Sequence, residues 1–353
     1  MRVAVVGCGY WGSKHVRVFQ GLEAVEEVVA VDGREERRRQ TARAVPGVRT
    51  APSLYDVMDQ VDAVVVATPP SSHAPIALDA ISAGKHVLVE KPFSTSVTDG
   101  EQMIAAAEQA DVRLMVGHTF AYNAAVTTLR DIVQRPEFGH IHYLHTARLN
   151  LGLYQSDVSV TWDLAPHDIS IANFVLGRTP QAVQAWGSSH VNSVLPDVAY
   201  LRLDYGDNVT TQVHVSWLDP CKVRRVTVVG SEQMAVYDDM ADDERVRVYD
   251  QGVIVPPRDD LASVPMSYRH GGIVAPYVDF REPLAVQDQH FVDCIRDGTT
   301  PLTDGRAGLA VVQVLEAADR ALASHQPEAV GTHAPQPANT ELVGAGSYVY
   351  AGE

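Results

Sequence analysis

A glycine-rich segment, Gly7-Cys8-Gly9-Tyr10-Trp11-Gly12, directly follows a short apolar run at the start of the chain. The apolar run, Arg2 to Val6, is typical of a buried parallel strand, and the residues from Ser13 to Gln20 predict a helix. In such a unit the first glycine permits a tight turn, the second lets the backbone approach a bound group, and the third lets helix and strand pack closely. The segment therefore predicts a doubly wound α/β fold that binds a dinucleotide.

The acid at the end of the second predicted strand bears on which dinucleotide is bound. This strand, 27–31, ends at Asp32, about twenty residues after the last glycine, where a carboxylate accepts hydrogen bonds from the ribose of NAD. Four arginines follow it: Arg34, Arg37, Arg38 and Arg39. They form either the solvated face of the next helix or a site for the 2′-phosphate of NADP. Because Asp32 would repel that phosphate, we expect NAD and keep NADP as the alternative.

Chain length predicts more than one domain. The chain has 353 residues, which exceeds the size at which a single hydrophobic core keeps growing. We expect a dinucleotide-binding domain at 1–121, a substrate-binding and oligomerisation domain at 122–324, and a C-terminal extension at 325–353. The last helices of the second domain are expected to pack near the domain junction.

Charge and cysteine content limit the partners and the compartment. A formal net charge of −16 argues against nucleic acid and anionic membranes, because both require a basic surface. Three widely spaced cysteines, Cys8, Cys221 and Cys294, predict reduced thiols in a cytoplasmic protein. A strand that starts at the initiator methionine leaves no room for a leader peptide, and no apolar run approaches transmembrane length.

Strands and helices alternate through the first third of the chain. Apolar strands are predicted at 63–67, 86–90 and 112–116, and helices at 72–83 and 98–110, where Thr98 and Glu101 form a capping-box pattern. Six strands of this kind predict a parallel sheet whose ligand crevice lies at the carboxyl ends of the strands. Four candidate residues fall at those ends: Gly7, Asp32, Thr68 and Glu90.

Beyond about residue 122 the pattern changes to longer, often alternating strands. The segments 199–205, 209–217 and 223–229 predict a mostly antiparallel sheet, and a helix is predicted from Asp163 to Leu176. Two further helices are predicted at 285–296 and 305–322. We expect the active site between the two domains.

Five segments together carry a family resemblance. They are GCGYWG at 7–12, ATPPSSH at 67–73, AGKHVLVEKP at 83–92, LMVGHTF at 114–120 and WDLAPHD at 162–168. With these segments the chain resembles the Gfo/Idh/MocA family of NAD(P)-dependent oxidoreductases, which act on sugars, cyclitols and sugar nucleotides. The resemblance implies a Rossmann domain followed by an α/β domain with an open, mainly antiparallel sheet. In the family, the faces of that sheet commonly pair subunits, which implies a homodimer or homotetramer here.

The matched motifs also imply functional residues. The cofactor-binding set would be Gly7, Gly9, Tyr10, Trp11, Gly12, Asp32, Thr68, Pro69, His73, Glu90 and Lys91. The catalytic set would be Lys91, Asp163 and His167. Oxidation of a secondary alcohol requires a base near neutral pH, which suits His167, and a cation that stabilises the developing alkoxide, which suits Lys91. Asp163 and His167 share a helix face, although Asp163 could instead cap the helix and His167 could be an ordinary packed histidine.

A further set of side chains gives candidate substrate contacts, with rim or packing roles as the alternative: His118, Tyr122, Asn123, Arg148, Asn150, Trp162, Lys222 and Arg224. Trp162 offers a broad apolar face to a sugar ring or nicotinamide, or packs in the core. Strand alternation puts Lys222 and Arg224 on one face and Arg225 on the other, so the first two could receive the diphosphate of a nucleotide sugar. We expect no metal site, because His140, His142 and His145 fit an exposed strand without acidic or thiolate partners.

These patterns favour an NAD-linked dehydrogenase or ketoreductase acting on a ring hydroxyl of a sugar, with a nucleotide-linked sugar preferred over a free sugar or cyclitol. One alternative keeps the cofactor but changes the reaction to glycoside cleavage by oxidation, elimination, hydration and reduction on a retained NAD. A second alternative is a non-catalytic sensor that binds dinucleotide and a protein partner. Retention of Lys91, Asp163 and His167 speaks against the sensor, which needs no proton-transfer groups.

Overall fold

The first sheet of the protein is a six-stranded parallel sheet. The computed structural model describes residues 1–152, 158–191, 195–254 and 266–331. The strands of this sheet are β1 (Arg2–Val6), β2 (Glu27–Val31), β3 (Arg49–Ala51), β4 (Ala63–Val66), β5 (His86–Val89) and β6 (Leu114–Val116). They pair in the order β3-β2-β1-β4-β5-β6, all in parallel. This order reverses between β1 and β4, which creates the crevice where such sheets bind ligands.

Helices cover both faces of this sheet. They are α1 (Tyr10–Gln20), α2 (Glu35–Ala44), α3 (His73–Ser82) and α4 (Val97–Ala110). Helix α1 begins three residues before the predicted start, with Gly9 as its N-cap, so the glycine-rich turn itself forms the first helical turn. Helix α4 is capped by Ser96, whose Oγ accepts a hydrogen bond from the Asp99 N–H at 3.1 Å. The predicted Thr98–Glu101 capping box is therefore wrong, because the helix begins before Thr98.

The second sheet has nine strands and is mostly antiparallel, as predicted. The strands are β7 (Ile141–Leu151), β8 (Ala182–Ser188), β9 (Val198–Asp204), β10 (Thr210–Ser216), β11 (Leu218–Gly230), β12 (Met234–Asp238), β13 (Val246–Ile254), β14 (Ser267–Val274) and β15 (Glu328–Ala329). Their order is β14-β13-β12-β11-β7-β10-β9-β8-β15. Only the β7–β10 pair among them is parallel; the other pairs of the described strands are antiparallel.

The remaining helices are α5 (Ala124–Val133), α6 (Val160–Leu176), α7 (Pro283–Asp297) and α8 (Gly305–Ser324). Buried residues of α5, α6 and α8 share one apolar core with the second sheet. Helix α6 begins at Val160 with Ser159 as its N-cap, so the predicted start at Asp163 is three residues late. Asp163 is consequently not the capping residue, and its carboxylate is available for other contacts.

The chain crosses back to the first sheet near its C-terminus. Phe291 and Val292 of α7 belong to the same buried cluster as Val3 and Val5 of β1, and α7 packs against α1. Leu309 of α8 packs in the cluster on the other face of that sheet. The two domains are therefore joined by helices as well as by the segment that follows β6.

Two predicted domain boundaries can be compared with the observed helices and strands. The boundary after residue 121 falls between β6 and α5, and it stays a prediction. Within the predicted C-terminal extension, Glu328 and Ala329 pair with Val183 and Ala182 at the edge of the second sheet. The rest of the extension, 332–353, lies outside the described residues.

Among the helices that the structure describes, none combines the length and the apolar character that a membrane crossing requires.

Candidate active site

The glycine-rich turn lies at the carboxyl end of β1 and leaves a cradle on its outer side. Gly7 has a φ of +93°, and a Cβ there would lie 2.6 Å from the Ala67 carbonyl oxygen. A Cβ on Gly12 would lie 1.6 Å from the Gly7 oxygen, so neither position accepts a side chain. At Gly9, by contrast, a Cβ would meet only Arg37, at 3.9 Å. The open backbone at Gly9 and the N-terminus of α1 fit a pyrophosphate.

Asp32 is fixed beside this turn by backbone donors. Its Oδ2 accepts the Cys8 N–H at 2.9 Å, and its Oδ1 accepts the Arg34 N–H at 2.8 Å. The Arg37 guanidinium lies 3.8 Å from Oδ2, and Arg38 donates to the Asp32 carbonyl oxygen. The carboxylate thus lies between the glycine turn and α2, where it would accept hydrogen bonds from the ribose of a dinucleotide.

Two aromatic side chains follow the turn on the first turn of α1. Tyr10 is 72% exposed, and its ring meets the Trp11 ring edge to face, with centroids 5.4 Å apart. Lys14 Nζ lies 4.3 Å from the Tyr10 ring centroid. The exposed Tyr10 ring and the half-buried Trp11 ring border the mouth of the glycine turn.

His73 joins the two loops that follow β4 and β5. Its Nε2 lies 2.9 Å from the Thr68 carbonyl oxygen and its Nδ1 lies 2.9 Å from the Pro92 carbonyl oxygen. Burial lowers the pKa of His73, so the neutral ring donates to one of these oxygens. The Thr68-Pro69 loop and the Lys91-Pro92 segment, whose peptide bond is cis, are thereby held side by side.

Lys91 reaches from the first domain to the start of α6. Its Nζ donates to the Asp163 carbonyl oxygen at 2.9 Å and lies 3.4 Å from Asp163 Oδ1. The other carboxylate oxygen, Oδ2, accepts the indole N–H of Trp217 at 3.1 Å. The ammonium is 10% exposed and the carboxylate 22%, so this pair is held at the domain junction with one side open.

His167 lies one turn after Asp163 on α6 and is half-buried. Its ring packs edge to face against Phe120, with centroids 5.3 Å apart. Burial, and then the positive charges of Lys91 and Arg148, hold the pKa of His167 well below the usual histidine value. The ring is neutral at neutral pH and can accept a proton from a substrate hydroxyl.

His118 is a second neutral imidazole near Lys91. It is 2% exposed, and neither ring nitrogen has a hydrogen-bond partner among the described residues. Burial lowers the pKa of His118 to about 4, although the Glu90 carboxylate opposes the shift. Because buried polar atoms are normally paired, these nitrogens are suited to a bound ligand.

Two arginines on neighbouring strands lie near His167, and each is paired with a carboxylate. Arg148 Nε donates to Asp168 Oδ2 at 2.6 Å, and its guanidinium lies 4.6 Å from the Phe120 ring centroid. Arg224 is opposite Arg148 in the β11–β7 register and lies 3.4 Å from Asp239. Burial raises the pKa of Asp168, and the charge of Arg148 opposes that shift.

The remaining charges of β11 lie away from this pair. Arg225 lies on the opposite face of β11 and pairs with Asp238 at 2.9 Å. Lys222 is exposed, in a stretch of β11 where the register with β7 is irregular.

Three other predicted contacts have internal partners, and a fourth, Asn150, lies near Trp217. The Tyr122 hydroxyl lies 3.0 Å from Thr303 Oγ1, and Asn123 caps α5 and donates to the Tyr237 hydroxyl at 3.2 Å. Trp162 donates to Asp319 at 2.7 Å and packs between the two domain cores. Asn150 lies beside Gly152, where a Cβ would be 3.1 Å from its Nδ2 and 2.6 Å from Trp217 Cδ1. Of these four, Asn150 is the one beside the Asp163–Trp217 contact.

Sequence reasoning missed a buried group that we call the His15 trio, formed by His15, Glu90 and Asp288. Nε2 of His15 lies 2.9 Å from Glu90 Oε1, and Nδ1 lies 2.9 Å from Asp288 Oδ2. The other Glu90 oxygen, Oε2, accepts the Lys91 backbone N–H at 3.1 Å. His15 follows the glycine-rich segment closely, but its partner Asp288 is 273 residues away, and no local pattern indicates that contact.

Trp217 was likewise missed as a site residue. In the sequence Trp217 is only the end of a predicted strand, although its indole N–H donates to Asp163. Among the described residues, no group of three or more His, Cys, Asp or Glu side chains is arranged to hold a metal ion.

Comparison with known proteins supports the resemblance of the motifs. Residues 1–118 match "Oxidoreductase family, NAD-binding Rossmann fold", and residues 126–236 match "GFO/IDH/MocA C-terminal domain". A D-apiose dehydrogenase of Paraburkholderia graminis is 27% identical over 339 residues, which cover 89% of this chain and 85% of the relative. A UDP-N-acetylglucosamine 3-dehydrogenase of Acidithiobacillus ferrooxidans is 26% identical over 315 residues, covering 88% and 94%.

Solved structures agree with the domain matches. The crystal structure of GenD2 from gentamicin A biosynthesis, in complex with NAD, superimposes with a TM-score of 0.80 at 27% identity, covering 94% of this chain and 97% of that one. The chain belongs to the Gfo/Idh/MocA family of oxidoreductases and carries its NAD-binding Rossmann domain.

Proposed function

We propose that the protein is a dehydrogenase that transfers hydride between NAD and a ring secondary alcohol or ketone of a sugar. The observation that carries this proposal is the Lys91 ammonium, held by Asp163 beside the neutral ring of His167. A cation and a neutral base at one junction are the two groups that alcohol oxidation requires.

Each side chain has a separate task in this proposal. Lys91 donates to the reacting oxygen and stabilises negative charge that develops on it. His167 accepts the hydroxyl proton during oxidation and returns it during reduction. Asp163 holds the ammonium in place and is itself held by Trp217. NAD, when bound, supplies the hydride acceptor.

The cofactor would be held by the glycine cradle and Asp32, with the Thr68-Pro69 loop and the Glu90-Lys91 segment below the nicotinamide. Exposed Tyr10 and half-buried Trp11 border the glycine turn, where the pyrophosphate would lie. Because Asp32 is fixed by two backbone N–H groups, its charge cannot easily turn away from a 2′-phosphate. This arrangement supports NAD over NADP.

For the substrate we propose a nucleotide-linked sugar. Two relatives are named for a sugar and a sugar-nucleotide substrate, which supports the sugar class. Lys222 is exposed, and Arg224 is held only at 3.4 Å by Asp239, so both can be recruited by a diphosphate. Arg148 is more firmly held, at 2.6 Å from a buried carboxylate, and we place it under the sugar ring instead.

We also propose that the outer face of the second sheet pairs subunits into a homodimer or homotetramer. Trp186 and Tyr200 are cross-strand partners there, 55% and 49% exposed, and Tyr200 stacks on His214 with centroids 4.1 Å apart. A row of exposed aromatic side chains is typical of an interface. Light scattering on the intact protein and on Tyr200→Glu tests this, and a monomeric parent protein would contradict it.

The activity test is a panel of UDP- and dTDP-sugars, free sugars and inositols with NAD, followed by the absorbance of reduced nicotinamide. Retained cofactor is assayed first by denaturing the purified protein and identifying the released nucleotide. Turnover of nucleotide sugars alone would support the proposal in full, whereas turnover of free sugars or inositols would remove the diphosphate role of Lys222 and Arg224. Glycoside cleavage without added cofactor would instead assign the retained-NAD glycosidase, and dinucleotide binding without any turnover would assign a sensor.

A further inference from the structure

The His15 trio is wholly enclosed, and its hydrogen bonds fix its charge. His15 and Asp288 are 0% exposed, and Glu90 is 5% exposed. A neutral imidazole has one N–H, yet both ring nitrogens lie at hydrogen-bond distance from a carboxylate oxygen. One additional proton satisfies both contacts. Wherever that proton lies, two carboxylates, one imidazole and one extra proton carry a net charge of −1.

The pKa shifts of His15 and Glu90 agree with this assignment, whereas burial raises the pKa of Asp288 and the charge of His15 opposes that shift. Burial alone would lower the pKa of His15, but Asp288 and Glu90 outweigh it and raise the pKa to about 10. His15 lowers the pKa of Glu90 against the effect of burial. Gln287 adds a hydrogen bond to Asp288 Oδ1 at 3.3 Å and itself accepts from the Thr119 hydroxyl at 2.8 Å.

Three other carboxylates near the reacting position each have a cation beside them. The pairs are Lys91–Asp163, Arg148–Asp168 and Arg224–Asp239. Lowered pKa values keep His118 and His167 neutral. By contrast, the two carboxylates of the trio share one extra proton, so the trio keeps a net negative charge at this end of the sheet.

Glu90 brings that charge to the end of β5. It directly precedes Lys91, and its Oε2 accepts the Lys91 backbone N–H. A Cβ on Gly117 would lie 2.8 Å from Glu90 Oε1, so no side chain intervenes between Glu90 and the end of β6. If Lys91 donates to the oxygen on the reacting carbon, the nicotinamide must lie against that carbon and hence close to Glu90.

We propose that the His15 trio sets the relative affinity of the protein for oxidised and reduced nicotinamide, by placing its net negative charge close to the ring. The inference rests on the proposed function, because it requires the nicotinamide to bind next to Lys91. The oxidised ring is a cation and the reduced ring is neutral, so the charge favours NAD⁺ over NADH. A unit charge about 10 Å from an ion changes its affinity by roughly ten-fold at an effective dielectric constant of 20, and less with more solvent.

The test is a pair of binding titrations on Asp288→Asn at a pH of about 6, below the ordinary histidine pKa, where the imidazole that faces Glu90 keeps its second proton and the trio becomes neutral. NAD⁺ is titrated by calorimetry and NADH by its fluorescence. We expect the ratio of the NAD⁺ to the NADH dissociation constant to rise about three- to ten-fold relative to the parent protein. A purely structural defect would weaken both forms and leave the ratio unchanged.

Two further variants complete the experiment. Asp62→Asn removes a charge of the same sign just before β4, at the end of the sheet opposite to Glu90, where Asp62 accepts the Arg2 N–H, and it should leave the ratio unchanged. Glu90→Gln removes the same unit charge from the trio and should also raise the ratio, which keeps the test decisive if Asp288→Asn does not fold.

Each outcome has a separate meaning. A parental ratio in a folded Asp288→Asn protein, or in Glu90→Gln if only that variant folds, overturns the charge effect while leaving the dehydrogenase proposal intact. Failure of the parent protein to bind either nucleotide would instead remove the proposed function. A raised ratio in a trio variant together with an unchanged ratio in Asp62→Asn supports the inference.

Discussion

The indole N–H of Trp217 donates to Oδ2 of Asp163 at 3.1 Å, while the other oxygen of the same carboxylate lies 3.4 Å from the Lys91 ammonium. Trp217 follows β10 in the second domain, and Lys91 follows β5 in the first. The carboxylate therefore links a fixed indole of one domain to a cation of the other. Gly152 leaves room for this contact, because a Cβ there would lie 2.6 Å from the indole ring.

Replacing Trp217 with phenylalanine should loosen this link. Asp163 would lose a donor but keep its contact with Lys91, so we expect the ammonium to sample wrong positions and kcat to fall about ten- to hundred-fold. NAD affinity should change little. Steady-state kinetics and NADH titration measure both quantities. Trp186→Phe is the matched control, since that indole is exposed on the far face of the sheet; equal losses in both variants would contradict the positioning role.

Lys91→Met should separate binding from chemistry. The variant keeps the aliphatic stem but removes the charge, so kcat should fall by about a thousand-fold or more, with NAD binding nearly intact. Lys85→Met, at the opposite end of β5, serves as the control and should turn over normally. Full activity in Lys91→Met would refute the assignment of the lysine.

Asp32→Ala should change cofactor preference. The loss of the carboxylate removes the ribose acceptor and the charge that repels a 2′-phosphate, while Arg37 and Arg38 remain nearby. We expect the dissociation constant of NAD to rise about ten-fold more than that of NADP. Asp59→Ala removes an exposed carboxylate of the same domain and should leave the ratio as in the parent. An unchanged NAD to NADP ratio in Asp32→Ala would remove the proposed ribose contact.

The pH dependence of alcohol oxidation should report the neutral state of His167. Its lowered pKa keeps the base form available at lower pH, so the acid limb of kcat/KM should lie below the ordinary histidine pKa of about 6.5. Arg224→Met removes one positive charge that lowers this pKa, and the limb should move to higher pH by up to about one unit. Arg225→Met, one residue along and on the opposite face, should not move it. A limb that stays in place in Arg224→Met would argue against His167 as the base.

The His15 trio should make stability depend on alkaline pH. The folded-state pKa of His15, about 10, lies above the unfolded value of about 6.5. The stabilisation that protonated His15 contributes to the folded state is therefore fully present below a pH of about 6.5. That contribution is lost as pH rises toward and through 10, by at most about 1.4 kcal/mol per pH unit. Urea unfolding of the parent and of His15→Gln across this window gives the difference. A parallel decline in the two proteins would show that His15 does not take up the proton.

Much of the nucleotide-binding half was predictable because its determinants are local. The strand β1, the glycine turn and Asp32 lie within one stretch of chain, and apolar runs mark the buried strands of a parallel sheet. Helix starts were predicted less well, since Ser96 and Ser159 lie before the segments that suggested the helices. In the second domain the alternation that places Arg224 and Arg225 on opposite faces was also visible in sequence.

Contacts between distant segments were not predictable in the same way. Nothing near Trp217 marks Asp163 as its partner, and nothing near His15 marks Asp288, because each pair forms only when separate elements pack together. The sequence around Tyr122, Asn123 and Trp162 likewise gives no sign of the internal partners that these side chains contact. Side-chain type and spacing identify candidates, and tertiary packing decides which of them face the cleft.

Helix α7 determines when the first domain can complete its fold during synthesis of the chain. Phe291 and Val292 complete the apolar cluster around Val3 and Val5, so the first domain cannot close its core when residues 1–121 leave the ribosome. Its sheet must wait, with one face partly uncovered, for the synthesis of nearly half of the chain. The nucleotide-binding half is thus the first to be translated and among the last to be finished, and a fragment cut after residue 121 should aggregate rather than bind cofactor.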